Sequence, residues 1–433
     1  KPEARTLVAM ADTGAAATGF RSVKVRPKSG TTVSPSAISP VNAKAPDLNE
    51  LQALVKRSGS YVLEYIATPR KVMIWLVDPS GKVVAGKSVD CDLEELKNLI
   101  RETHKSIVTA PDGMEALHAL SENRSKSLRK LYDLLIGPVE SALPADPEQV
   151  VTVVPYGPLY LVPFAALLDS GNSYLVEKHA LAYLPSIAVL RATGDMKQRL
   201  AGLEDKLLAF GNPITERNKF IGKLPYAEKE VAKVASIFNQ VNKEATHIEV
   251  GEAATKRKFA ELAPGYSYIH LATHGLIDSD SPMDSSVVLA PEGDDDGLLT
   301  VKDILELPAL KAKLIVLSAC QTGKGKVTGD GVIGLSRAFI IAGTPSVMVS
   351  QWNVDDVMTE FQMALLYKEL LSGQKKARAL RVAQLKTINF MEKGLASSFA
   401  DESEDDDAET GKKAKERANP RYWAAFQVIG EAD

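Results

Sequence analysis

The chain has 433 residues, room for two or three compact domains, with an ordinary apolar share of 45% and a net charge of −3. No basic face dominates that balance, which argues against nucleic acid as a partner. No run of about 18 apolar residues occurs, which argues against a transmembrane helix and a membrane role.

The first residue is Lys1, not methionine, so the sequence is expected to be a fragment or a processed form. Residues 1–46 read as a tail or linker. They begin basic and Ser/Thr-containing without the apolar core of a secretory signal, and Ser29–Pro46 is rich in Ser, Thr, Ala and Pro. Order is expected from Asp47, which with Glu50 forms a capping box ahead of a helix to about Arg57. Tyr61–Ala67 and Lys71–Val77 alternate and are β-rich, and Asp78-Pro79-Ser80-Gly81 is a turn before Val83–Val89. Asp92 then caps a helix with Glu95 at its third position, and another helix is expected over about Ser127–Leu143. Residues 47–149 thus read as an accessory unit of antiparallel hairpin plus helices.

From Val150 short apolar runs alternate with helical patterns. The runs are Val150–Pro155, Leu207–Gly211, Tyr266–Gly275, Leu314–Cys320 and Ser346–Val354. The helices are Tyr226–Val241, Thr255–Leu262, Val301–Leu307, Gly331–Ala342 and Val357–Leu371. Strands apolar throughout are buried on both faces, which predicts an α/β fold with a parallel-rich sheet flanked by helices over residues 150–433. The hairpin region would pack on that sheet or extend it. Ala400–Pro420, with the acidic run Glu402–Asp407, reads as a solvated, disordered loop. Glu292–Asp296 is acidic too, but lacks the spacing of an EF-hand loop. No repeat occurs at solenoid periods.

Two cysteines, Cys91 and Cys320, suit a reducing, cytoplasmic compartment. No Cys/His cluster has metal-ligand spacing, so no metal or other cofactor is expected. Cys91, in an Asp-Cys-Asp turn, is expected to be inert.

Chemistry gathers at two strand ends. His274 closes one apolar strand and Cys320 another, each followed by small residues. Ligands of open parallel sheets bind beyond the carboxyl ends of the strands, and successive parallel strands tend to be neighbours. A thiol becomes a nucleophile on deprotonation, which an adjacent imidazole can bring about before protonating the leaving amine. The backbone N–H groups of Gly275 and Cys320 are candidates to hold the oxyanion. By position alone, a strand cysteine is also an ordinary small core residue. His270, inside its strand, is the competing histidine and reads as a hydrogen-bonded core position.

His270-Leu271-Ala272-Thr273-His274-Gly275 and Leu317-Ser318-Ala319-Cys320-Gln321-Thr322-Gly323 resemble the CHAT family of caspase-like peptidases, named for their association with tetratricopeptide repeats. The likeness extends in order through Val154–Leu159, Val162-Pro163-Phe164, Gly331–Phe339, Gln351–Asp356, Ala379–Gln384 and Pro420–Phe426. It implies a caspase-like fold, shared more distantly with separase and the caspases, and peptide-bond hydrolysis by a His–Cys dyad. His274 would be the base and Cys320 the nucleophile, acting on a protein or peptide substrate, with an activating partner or repeat module. No tetratricopeptide repeat lies within the chain, so that module would be absent, precede Lys1 or be a separate subunit.

The substrate pocket is expected after Ser346–Val354, with Asp355 and Asp356 recognising a basic residue, as the similar separase strand suggests, and Gln351 and Trp352 beside them. Asp355 or Asp356 would equally cap the next helix. Asp278 and Asp280 are a further possibility. Gly323–Gly331 lacks the phosphate-loop spacing and reads as a flexible loop or a mobile active-site loop. Three other functions compete: a caspase-like signalling scaffold with little turnover, a thiol acyltransferase using the same dyad, and a nucleotide-binding α/β protein. The last is weakened by the missing Gly-x-Gly-x-x-Gly.

Overall fold

Local caps set several of the helix starts. In the computed structural model, Asp47 and Glu50 form the reciprocal capping box that starts α1 (Leu48–Ser58), and Gly59 ends it at φ 64°. The structure describes residues 46–110, 112, 114–214, 224–241, 245–278, 280–321, 329–400 and 417–433, with 114, 225, 319–321, 329–333 and 395–400 described through the backbone alone. The expected tail, most of the acidic loop and most of the Gly323–Gly331 loop fall outside these residues.

After α1 come β1 (Tyr61–Ala67), β2 (Lys71–Val77) and β3 (Val83–Asp90), an antiparallel meander turned at Asp78. Asp92 accepts from Glu94 N and Glu95 N to start α2 (Leu93–Val108), and α3 (Met114–Leu135) follows. The helix expected over Ser127–Leu143 thus begins earlier and stops sooner. Gly137-Pro138 breaks it into a 3-10 turn, Gly137–Ala142, because proline supplies no N–H and disfavours helix in the residue before it.

The remaining strands are β4 (Val150–Val154), β5 (Ala180–Tyr183), β6 (Leu207–Gly211), β7 (Thr246–Val250), β8 (Tyr268–Leu276), β9 (Ser286–Val288), β10 (Leu298–Thr300), β11 (Leu314–Gln321), β12 (Ser346–Ser350) and β13 (Phe426–Gly430). Between them run α4 (Leu175–Lys178), α5 (Val189–Leu200), α6 (Pro225–Val241), α7 (Lys256–Leu262), α8 (Val301–Glu306), α9 (Gly329–Ile341), α10 (Asp356–Leu371) and α11 (Lys376–Ala400). All strands join one mixed sheet, ordered β10-β9-β8-β11-β12-β13-β5-β4-β1-β2-β3, with β6 beside β8 and β7 beside β6. Its core is mostly parallel, and helices flank it, as the apolar strands require. Among the described residues, no helix is long and apolar enough to cross a membrane.

Strand direction reverses once at the middle. β7, β6, β8, β11 and β12 are mutually parallel, β13 runs antiparallel to β12, and β5, β4 and β1 run parallel to β13. The carboxyl ends of β8, β11 and β12 therefore share one edge of the sheet. β13 closes the seam in full register with β12, from Ser346↔Gly430 to Ser350↔Phe426. Gly430 sits at φ 108°, where a Cβ would collide with the carbonyl oxygen of Pro345.

Gly430→Ala is therefore expected to lower stability by about 3 kcal/mol. Urea unfolding should show a lower midpoint with unchanged slope.

Candidate active site

The pairing of β8 with β11 builds the site. Their parallel register runs from Leu314↔Tyr268 to Gln321↔Gly275 and makes Cys320 the partner of His274. Adjacent strands lie about 4.8 Å apart, so partner residues are immediate neighbours. The other flank of β8 is shared, by β6 along Tyr268–Ala272 and by β9 at Gly275 and Leu276. Gly275 thus lies between Gln321 of β11 and Val287 of β9. His274 is 6% exposed.

A cleft opens beside this pair. Its walls include Thr273 and Ser318 from the strands, Glu230 from α6, and Val354, Asp356 and Thr359 at the start of α10. Two carboxyls face it. Burial raises the Asp356 carboxyl above the usual range, the Asp355 and Glu230 carboxylates raise it further, and His274 opposes them. Ser318 is 7% exposed, and its Oγ has no hydrogen-bond partner among the described residues. A buried hydroxyl without a partner is uncommon and leaves a donor and two acceptor positions open to an occupant.

Beneath the cleft, His270 is fully buried. Its Nε2 lies 2.9 Å from Glu230 Oε1, and its Nδ1 lies 3.0 Å from the Tyr367 hydroxyl on α10. A carboxylate only accepts, so Nε2 donates to Glu230, and Nδ1 is left to pair with the Tyr367 hydroxyl. Burial first, then Glu230, hold the Tyr367 hydroxyl well above its ordinary pKa, so it stays protonated. His270 therefore tethers α6 and α10 to the sheet, the core role its place within a strand implies.

Glu230 was not singled out in the sequence. It lies on the stripe Ala227, Val231, Val234, Ala235 and Phe238, all buried. A charged residue at a core position of an amphipathic helix was the available signal.

The other candidates are spread around the cleft. Asp355 caps α10, its Oδ1 accepting from Met358 N at 3.1 Å. Gln351 is buried, its amide donating to the carbonyls of Tyr160 and Val162. Trp352 is buried too, its indole donating to the Arg421 carbonyl at 3.0 Å. Neither lines the cleft. Asp278 turns its own loop, accepting from Asp280 N and Ser281 N. Glu292 pairs with Arg257, and Asp295 and Asp296 accept from the backbone of the β9–β10 hairpin. Among the described residues, no group of three or more His, Cys, Asp or Glu could hold a metal ion. Cys91 is free and half-buried; burial and the neighbouring Glu95 and Asp92 raise its thiol pKa, so it is a poor nucleophile.

A family model described as the CHAT domain matches residues 125–431. The human protein named Tetratricopeptide repeat protein 28 is 29% identical over 374 residues, covering 74% of this chain and 14% of that protein. Its Mus musculus counterpart is 27% identical over 380 residues, covering 75% and 14%. This chain therefore spans 14% of the length of the curated relatives it matches. Among solved structures, the Saccharomyces cerevisiae separase–securin complex contains a chain that superposes with a TM-score of 0.52 at 11% identity. The match covers 88% of this chain and 30% of that one. At that identity the likeness shows a shared fold, the separase- and caspase-like α/β fold.

The tether under the cleft is open to measurement. His270→Leu would leave Glu230 buried without its donor and should lower stability by about 3 kcal/mol or more. In the His270→Leu/Glu230→Leu double variant the loss should be smaller than the sum of the two single losses, as a coupled pair requires. Urea unfolding of the four proteins measures both.

Proposed function

We propose that this chain, which belongs to the CHAT domain family, is a cysteine endopeptidase in which Cys320 is the nucleophile and His274 the base. The register that makes Cys320 the strand partner of His274 is the observation that carries this reading. His274 takes the thiol proton, and the thiolate attacks the scissile carbonyl carbon. The oxyanion that forms accepts hydrogen bonds from the N–H groups of Gly275 and Cys320. Collapse breaks the C–N bond, the imidazolium gives its proton to the leaving amine, and an acyl-enzyme remains. Water, deprotonated by His274, then releases the acid and restores the thiol.

The acidic cleft is proposed to receive the side chain before the cut, and its chemistry favours lysine or arginine. Asp356 and Glu230 would face the cation, and the Ser318 hydroxyl would accept one of its N–H groups. Asp355 acts instead through its cap. Residues 47–149 are proposed as the accessory part and 150–433 as the peptidase domain. The relatives named for tetratricopeptide repeats favour a repeat module, in the same protein or beside it, as partner and regulator. A reducing compartment suits a free thiolate.

Incubation with a diverse peptide library under reducing conditions, read by mass spectrometry of new termini, tests the dyad. Wild type should cut and Cys320→Ala should lose on the order of 10⁶-fold in rate. Equal cutting by both would eliminate Cys320 as nucleophile. Products joined to an added amine instead of hydrolysed would mark an acyltransferase. Labelling of Cys320 by a thiol-directed warhead without any cutting would favour a signalling scaffold.

Charge in the cleft gives a second test. The Asp356 carboxyl is raised, so its charge is lost, on acidification, at a higher pH than for an ordinary carboxylate. KM for peptides with a basic residue before the cut should therefore begin to rise, on acidification, before an ordinary aspartate would be protonated. Asp356→Asn should raise KM by about tenfold at neutral pH and abolish that rise.

A further inference from the structure

Asp356 reaches the cleft at the end of an irregular stretch, residues 351–355, between the last pair of β12 and the first turn of α10. The Gln351 N–H donates to the Ala425 carbonyl at 2.9 Å, and buried side chains hold the stretch further. The Gln351 amide is fixed on Tyr160 and Val162, and the Trp352 indole on the Arg421 carbonyl. A third support comes from α2. The His104 ring meets Trp352 edge-on, centroids 5.8 Å apart at 80°. The same helix end holds the other side of Trp352, since Arg421 Nη1 donates to the Val108 carbonyl at 2.8 Å. Burial lowers the His104 pKa, so the ring is neutral at neutral pH, a form that can pack against an indole without desolvating a charge.

We propose that His104 is a positioning residue for the acidic cleft, holding Trp352 so that Val354 and Asp356 stand at its wall. The proposal rests on the reading of the cleft as the pocket for a basic side chain. It makes α2 part of the working unit, although this helix ends before residue 125, where the family match begins. Any force applied to α2, such as contact with a repeat module, would then reach the pocket across the ring contact with Trp352.

Three variants of the full chain decide it. His104→Ala removes the ring. His104→Phe keeps an aromatic ring against the indole. Leu128→Ala truncates a buried side chain of α3 and serves as a control for general loss of stability. Amide hydrogen exchange over residues 351–357 should rise about tenfold in His104→Ala, as expected on losing one buried aromatic contact. It should return toward wild type in His104→Phe and stay unchanged in Leu128→Ala. With basic peptides, His104→Ala should raise KM about tenfold at nearly constant kcat, and iodoacetamide should alkylate Cys320 at the wild-type rate. Unchanged exchange in His104→Ala, or an equal rise in Leu128→Ala, would overturn the proposal. If wild type neither cuts basic peptides nor binds benzamidine, the reading of the cleft fails, and the exchange experiment still decides whether His104 positions this segment.

Discussion

The register between β8 and β11 is the constraint on which the rest of the site depends. Both strands are apolar and buried on both faces, so the inside–outside alternation that pins most strands is missing here. A slip of one residue would set Cys320 beside Thr273 or Gly275. Polar anchors supply the missing specification. At the strand starts, Lys313 N donates to the Ser267 carbonyl at 2.6 Å. The Ser267 hydroxyl donates to the Glu204 carbonyl and accepts from Lys206 N. The Lys313 ammonium pairs with Asp205 at 2.7 Å. Mid-strand, His270 is held from two helices at once. A slipped β8 would leave a fully buried imidazole and a nearly buried carboxylate unpaired, a penalty larger than any small gain in apolar contact.

The reversal of direction at β13 sets the boundary of the site. Because β13 runs against β12, the carboxyl ends of β8, β11 and β12 share an edge that β5, β4 and β1 do not share. Chain returning from β4 must cross the layer to begin β5. In doing so it brings the Tyr160 and Val162 carbonyls to Gln351, and the turn before β13 brings Arg421 to Trp352. The irregular end of β12 is thus fixed by residues from distant parts of the sequence. An irregular segment can carry a charged side chain to a cleft reproducibly only when its own backbone is held in this way.

Much of this was legible in the sequence, for identifiable reasons. The apolar runs ending in His274 and Cys320 marked parallel strands, because only burial on both faces permits them. The caps at Asp47, Asp92 and Asp355 marked helix starts, because short-range hydrogen bonding decides them. What was not legible depends on contacts far apart in the chain. The family likeness extended to Pro420–Phe426, but did not show that the strand Phe426–Gly430 would be inserted antiparallel beside Ser346–Ser350. Ser127–Leu143 carried a helical pattern that Gly137-Pro138 interrupts. Glu230 interrupts the apolar stripe of α6, but its reason shows only when that stripe is seen to face His270. Gln351 and Trp352 are polar or amphipathic side chains at a strand end, a pattern common to pockets and to struts alike, and only their partners distinguish the two.

The cleft joins these strands of argument through its charge. Glu230 is held on one side by His270, and Asp356 stands with it on the wall of the cleft, where the Glu230 carboxylate raises the free energy of the charged Asp356. That repulsion is unrelieved while the cleft is empty, and removing the Asp356 carboxyl should relieve it. Under the proposed reading, a basic side chain entering the cleft neutralises that repulsion and finds the Ser318 hydroxyl already desolvated. The selectivity for a cation is then not a property of one acidic residue. It follows from two carboxyls held too close for comfort by α6 and α10, which His270 and Tyr367 tie to the same strand that ends in His274.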